Sequence, residues 1–111
     1  MPKTNRPVSP YAANAAIRLG QLIRRGRIDR RMTVAALAER AGVSRGLMQR
    51  IEAGDPGCTI GAVFEAAAIV GVRLFDAGQV TMSRDVESTR EVMALLPKAI
   101  RRHRTEPDDD F

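Results

Sequence analysis

Residues 33–54 read TVAALAERAGVSRGLMQRIEAG, and this stretch decides the fold. Thr33 is suited to cap a helix that ends at Gly42, because glycine readily takes the left-handed conformation of a sharp turn. Ser44 can cap a second helix, which Gly54 and the residues after it bring to an end. The pattern therefore predicts two short helices joined by a tight turn.

Apolar side chains in this stretch recur at spacings that bury one face of each helix. The side chains expected to face inward are Leu37, Ala38, Val43, Met48 and Ile51. We also expect Ala38 and Gly42 to remove bulk where the two helices approach each other. The same spacing leaves Arg45, Gln49 and Arg50 on the outer side of the second helix.

Three further helices are predicted around this pair. The first has Ser9 as its cap and Pro10 as its first residue and carries Leu19 and Ile23 on one face, and another is capped by Thr59. We divide the chain into an N-terminal arm (1–9), a helix-turn-helix domain (10–78), a C-terminal helix (83–96) and a disordered tail (97–111).

A short strand is predicted between the fourth and fifth helices. Val72, Arg73, Leu74 and Phe75 alternate apolar and polar residues over a length too short for a helix. A lone strand needs a partner, and no other segment of the chain offers one. We therefore expect these four residues to pair with the same strand of a second subunit, forming a homodimer. The alternative is an irregular apolar segment that seals the core.

Positive charge is concentrated in the first half of the chain. Residues 1–58 hold 11 Lys and Arg against 4 acidic residues, whereas residues 59–111 hold 7 against 9. This asymmetry suits a polyanion that contacts the first half, since a phosphate backbone favours clustered guanidinium groups. A basic surface that is merely well solvated is the alternative.

The sequence gives no sign of catalysis, a cofactor or a metal site. Cys58 is the only cysteine and His103 the only histidine, so neither an internal disulfide nor a Cys and His zinc site is expected. No glycine-rich phosphate loop is present. No apolar stretch approaches the roughly 20 residues that span a bilayer, and we expect a cytoplasmic protein without a membrane partner.

The segment from Thr33 to Gly54 resembles the XRE (Cro/C1-type) helix-turn-helix family. Upstream, Leu19-Gly20-x-x-Ile23-Arg24-x-x-Arg27 matches that family's usual first helix, so the likeness covers roughly residues 16–76. The resemblance implies an all-α, phage-repressor-like bundle of four to five helices, with the short strand pairing across a homodimer. It also implies a sequence-specific transcriptional repressor that binds double-stranded DNA and is not an enzyme.

The resemblance and the helical spacing together give a set of residues expected at the DNA. They are Thr33, Val34, Ser44, Arg45, Gly46, Gln49 and Arg50. Arg45 is the foremost base-reading candidate, because its planar fork can donate two hydrogen bonds to O6 and N7 of guanine. Simple contact of Arg45 or Arg50 with phosphate is the alternative.

Two positions depart from the usual pattern of this family. Gly46 stands where relatives often have a base-reading side chain, and Val34 replaces a frequent glutamine. The resemblance also implies that Arg27 and Glu52 form a buried or half-buried ion pair with a structural role.

Within this family, details of the chain resemble HipB-like antitoxins, which repress their own operon and bind a HipA-like serine/threonine kinase toxin. The likeness rests on the loop 54–59, the strand region 70–77 and the tail 96–111. It implies a palindromic operator contacted by two recognition helices about one DNA turn apart. Asp109, Asp110 and Phe111 resemble a short motif that docks on the toxin, an idle tail being the alternative. A repressor without a toxin and a protein-binding adaptor without DNA binding are the competing functions.

Overall fold

A computed structural model of the protein describes residues 7–100. This part of the chain contains five helices and no strand: α1 (Pro10–Asp29), α2 (Val34–Ala41), α3 (Arg45–Ala53), α4 (Ile60–Ile69) and α5 (Gln79–Met93). It divides after Asp76 into two compact units, of which the first holds α1 to α4 and the second holds α5. None of the described helices is both long and apolar enough to cross a membrane. The prediction of an all-α fold is confirmed.

Hydroxyl side chains begin the first three helices, as predicted. The hydroxyl oxygens of Ser9, Thr33 and Ser44 each accept a hydrogen bond from the backbone N–H three residues later, at 3.2, 3.0 and 3.0 Å. Gly42 and Gly54 follow α2 and α3 with φ of 75° and 83°. Because residues other than glycine rarely adopt this left-handed backbone conformation, the two glycines fix where α2 and α3 stop.

One cluster of apolar side chains lies among α1 to α4. Its buried members are Ile23, Leu37, Ala38, Met48, Ile51, Ala66, Ala67 and Val70. Helix α3 packs against α1 and α2, and α4 packs against the same two helices. The inward-facing set expected from the sequence lies in or against this cluster, with Val43 half-buried at its edge. Full burial of each large aliphatic side chain contributes about 1.5–3 kcal/mol.

Two glycines allow α1 and the end of α3 to lie close together. A Cβ atom at Gly20 would come within 2.5 Å of the Ile51 carbonyl oxygen, and one at Gly54 within 2.5 Å of the Ile17 Cα. A Cβ at Gly42, by contrast, would meet nothing within 4 Å. The prediction that Gly42 removes bulk between two helices is therefore wrong, and its role is to supply the backbone conformation of the turn.

The strand predicted at residues 72–75 is not formed in the described chain. Phe75 and the residue after it have φ of 53° and 54°, so the backbone turns directly after Leu74 instead of staying extended. Val72 and Leu74 pack against the core cluster. The Phe75 ring meets the Phe64 ring edge-on, with the centroids 6.3 Å apart. The segment thus matches the alternative interpretation, an irregular apolar segment at the edge of the core.

Helix α5 starts at Gln79, earlier than the predicted residue 83, and ends at Met93. None of its residues is buried. Its exposed apolar side chains include Val80, Val86, Val92 and Met93. A helix of this composition gains little from the hydrophobic effect unless another surface covers it.

Candidate nucleic-acid interface

Helix α3 has one face in the core and one in solvent. The solvent-facing set is Arg45, Gly46, Gln49, Arg50 and Ala53. At 100° per residue these positions fall within an arc of about 140°, opposite the buried Met48 and Ile51. Gln49 lies within the arc, and Arg45 and Arg50 lie at its two edges. We call this set the outer face of α3.

Ala53 belongs to the outer face although it is absent from the residues predicted at the DNA. It follows Gln49 by four residues, so the same helical period could have identified it. Its small side chain leaves the last turn of the outer face open to an approaching surface.

The start of α3 combines a fixed backbone with a long exposed side chain. The Ser44 hydroxyl accepts from the Leu47 N–H at 3.0 Å, so this side chain caps the helix. Arg45 is exposed and has no hydrogen bond or ion pair within the described part of the chain. A Cβ at Gly46 would come no closer than 4.0 Å to another atom, the Ser44 Oγ. Internal packing therefore does not require glycine at this position, and its absent side chain lets a ligand approach the backbone.

The two predicted residues of α2 differ in their surroundings. Thr33 is exposed at the start of the helix, where its hydroxyl accepts from the Ala36 N–H at 3.0 Å. Val34 is half-buried and packs against the core cluster. The Thr33 end of α2 is thus accessible to a phosphate, whereas the Val34 side chain is largely used for packing.

Arg50 at the second edge of the outer face is held by the loop that follows α3. Its Nε donates to Asp55 Oδ2 at 2.8 Å, and the other carboxylate oxygen accepts from the Gly57 N–H at 2.8 Å. The hydrogen bond and the charge of Asp55 raise the pKa of Arg50, which stays protonated. The predictions did not include Asp55 among the site residues. Its spacing of five from Arg50, across the helix end, gives no periodic signal.

A second ion pair attaches the inner side of α3 to α1. Arg27 donates from Nε to Glu52 Oε2 at 2.6 Å and from Nη2 to Oε1 at 3.0 Å. Its Nη1 donates to the Met32 carbonyl oxygen at 2.9 Å. The hydrogen bonds to Glu52 raise the pKa of Arg27 despite its partial burial. The ion pair expected from the resemblance is confirmed, and it gives α3 a rigid support.

Further positive charge lies on α1 beside the end of the outer face. A shallow groove next to Ala53 is lined in part by Arg18, Arg24 and Arg25. Arg25 also forms an exposed ion pair with Asp29 at 3.4 Å. These side chains extend the basic surface that begins on α3, as a polyanion partner requires.

The described part of the chain offers no metal site and does not include the predicted toxin-docking motif. Within residues 7–100 no group of acidic, His and Cys side chains could hold a metal ion. The toxin-docking motif Asp109, Asp110 and Phe111 lies outside the described residues.

Two capped helices, a glycine turn between them and an outward basic face on the second define a helix-turn-helix protein. A family model described as a helix-turn-helix domain matches residues 18–74, which is more than half of the chain. The protein belongs to this helix-turn-helix family, which is of the XRE type. A comparison with curated proteins and one with solved structures each found no match.

Proposed function

We propose that the protein is a sequence-specific transcriptional repressor that inserts the outer face of α3 into the major groove of double-stranded DNA. The observation that carries this proposal is the exposed arc with Arg45 and Arg50 at its edges, on a helix that the Arg27–Glu52 ion pair ties to α1. A helix is about 10–12 Å across with its side chains, and the major groove is about 12 Å wide. Rigid support matters because a mobile reading helix would lose discrimination between bases.

The chemistry of the outer face suggests a role for each side chain. Gln49 can form two hydrogen bonds with N6 and N7 of adenine, and Arg45 can donate two to guanine O6 and N7. Gly46 and Ala53 have no side chain or a small one, so the duplex can approach the outer face of α3 closely at both positions. We expect Thr33, at the exposed start of α2, to contact the phosphate backbone together with the N-terminus of that helix.

This function is tested by a footprint on the DNA upstream of the protein's own gene, followed by salt titrations. We expect protected DNA, with an affinity that falls steeply between 50 and 200 mM salt. Arg45→Ala should reduce discrimination between operator and unrelated duplex about 5- to 150-fold. Arg84→Ala, which removes an exposed arginine from α5, is the charge-matched control and should leave discrimination unchanged. A wild-type protein with no salt-dependent duplex binding would instead favour a protein-binding adaptor.

We further propose that the repressor is a homodimer on a palindromic operator, with half-sites about 34–36 Å apart. The expected contact through residues 72–75 has no strand to support it. Helix α5 offers another surface, because Met82, Val86 and Met93 follow one another at spacings of four and seven, which places them on one side as in paired helices.

The charges beside this apolar side of α5 are self-complementary. Asp85 and Arg90 flank it at positions where two parallel copies can exchange ion pairs. In the single chain Arg90 pairs with Glu87 at 2.7 Å, but both side chains are exposed, so this contact is weak and replaceable. The occupant that fits α5 is therefore the α5 helix of a second copy.

Sedimentation or light scattering distinguishes this dimer surface from a general apolar effect. Met93→Asp should convert a dimer to a monomer, whereas Val80→Asp, which changes an exposed apolar residue outside the apolar side, should not. A wild-type chain that is monomeric at operator-binding concentrations would contradict the proposal.

As its narrower function we propose an antitoxin that represses its own operon and neutralises a HipA-like serine/threonine kinase. Support comes from the likeness of the loop 54–59 and the tail 96–111 to HipB-like proteins. The strand that this likeness implies is not formed in the described chain. Co-expression of the protein with a kinase-like product of a neighbouring gene should relieve the growth arrest that the kinase causes. Deletion of residues 97–111 should weaken binding of the protein to the kinase. Arg45→Ala should leave neutralisation intact. A chain without such a neighbour would be a stand-alone repressor.

A further inference from the structure

A second arginine of the outer face is already fixed before any ligand binds. Besides the 2.8 Å hydrogen bond from Arg50 Nε to Asp55 Oδ2, the Asp55 backbone N–H donates to the Arg50 carbonyl oxygen at 3.0 Å. The remaining carboxylate oxygen is bound by the Gly57 N–H at 2.8 Å. The guanidinium group is thus tied through Asp55 to the backbone of the loop.

Fixing an arginine side chain normally costs conformational entropy on binding. In the free protein Asp55 already binds the Nε of Arg50 and so supplies part of that ordering, whereas Arg45 has no partner within the described residues. The Nε–H of Arg50 is used by Asp55, and the two Nη groups carry four more N–H donors. A preorganised pair of donors is what the edge of a guanine requires.

The charge of Asp55 bears on which ligand Arg50 can accept. Together the two side chains have no net charge, so they attract a phosphate less than a lone arginine does. A phosphate at the Arg50 tip would also be repelled by the neighbouring carboxylate. The uncharged acceptors O6 and N7 of guanine meet much weaker repulsion than a phosphate does. The pair therefore favours a base edge over the DNA backbone.

We propose that Arg50 reads a guanine in each half-site and that Asp55 is its positioning residue, orienting the guanidinium and disfavouring phosphate. This inference rests on the proposed DNA-binding function and adds a specificity determinant to it. Gly57 adjoins the Arg50–Asp55 pair, because a Cβ there would lie 3.2 Å from Asp55 Oδ1 and 3.7 Å from Arg50 Nη2. Its bare backbone lies beside the pair and leaves space for the base.

The test is a selection of binding sites from a randomised duplex pool, followed by affinities for the selected and an unrelated duplex over 50–200 mM salt. The wild-type protein should select a guanine whose preference Arg50→Lys lowers about 5- to 150-fold, because lysine keeps the charge but lacks the fork. Asp55→Asn keeps an oxygen for the Gly57 N–H. It should weaken the same guanine preference and tighten binding to unrelated duplex. The slope of log K against log salt concentration should become steeper by about 0.9, the value for one added phosphate contact.

Glu91→Gln and Arg84→Lys are matched controls, since they make the same chemical changes at exposed residues of α5, outside the outer face of α3. They should leave every base preference intact. Unchanged melting temperatures for Arg50→Lys and Asp55→Asn will show that the fold is preserved. Guanine preference that survives Arg50→Lys, or a salt dependence that is unchanged in Asp55→Asn, would overturn the inference. A wild-type chain that selects no sequence would instead refute the proposed DNA-binding function.

Discussion

Helix α3 takes part in two arginine–carboxylate pairs, an inner pair with α1 and an outer pair with the loop that follows α3, and the two pairs differ in burial. On the inner side the Arg27 and Glu52 side chains are 12% and 7% exposed and share two hydrogen bonds. On the outer side Arg50 and Asp55 are 47% and 34% exposed and share one side-chain hydrogen bond. The same chemistry therefore supports the fold where water is excluded and leaves donors for a ligand where water has access.

The largest effect is expected on the inner side. Glu52→Ala leaves Arg27 as an uncompensated charge in a largely buried site, and it should lower the free energy of unfolding by about 3–5 kcal/mol. Chemical denaturation monitored by circular dichroism measures this change. A loss below about 1 kcal/mol would mean that the inner pair does not anchor α3 and would remove the contrast between the two sides.

Two glycine-to-alanine substitutions, one on each side of α3, should change the stability of the protein in opposite directions. Gly20→Ala places a Cβ 2.5 Å from the Ile51 carbonyl oxygen, so α1 and α3 must shift, at a net cost of about 1–3 kcal/mol. Gly46→Ala meets no neighbour within van der Waals distance and should stabilise the protein by up to about 1 kcal/mol through helix propensity. Thermal unfolding of both variants checks the prediction. Equal signs would contradict the assignment of inner and outer sides.

Much of the first unit could be predicted from the sequence, because its helix starts and stops are encoded locally. Ser44 and Gly42 act on atoms within a few residues, so a pattern of spacing suffices to place the turn. Apolar periodicity likewise predicted the burial of Leu37 and Met48. The all-α expectation succeeded for these reasons.

The failures have physical causes too. The alternation of apolar and polar residues at 72–75 predicted a strand, but the backbone at Phe75 is left-handed, so the segment turns there. The close approach at Gly20 depends on a helix that lies 31 positions further along the chain, at Ile51. Asp55 was missed because its contact with Arg50 crosses a helix end, where no periodicity applies.

The smallest effect is expected at Cys58, close to the outer pair. Burial raises the pKa of this thiol above its ordinary value of 9.0, although the charge of Arg50 opposes the change. Since the folded state holds the proton more tightly, Cys58 should add stability at neutral pH that is lost as the pH rises through the raised pKa. Its alkylation near pH 8 should be slower than that of a free cysteine peptide. Faster alkylation would show that the positive charge of Arg50 dominates.

The central claim, that the outer face of α3 lies in the major groove, is tested most directly by methylation protection with dimethyl sulfate on the footprinted operator. The reagent methylates guanine N7 in the major groove and adenine N3 in the minor groove. We predict two clusters of protected guanine N7 atoms about one helical turn apart, one in each half-site that α3 contacts. The reactivity of adenine N3 between the half-sites should not change. Arg45→Ala should reduce the protection of guanine N7. Protection confined to adenine N3, or guanine N7 reactivity equal to that of free DNA in a saturated complex, would contradict the central claim.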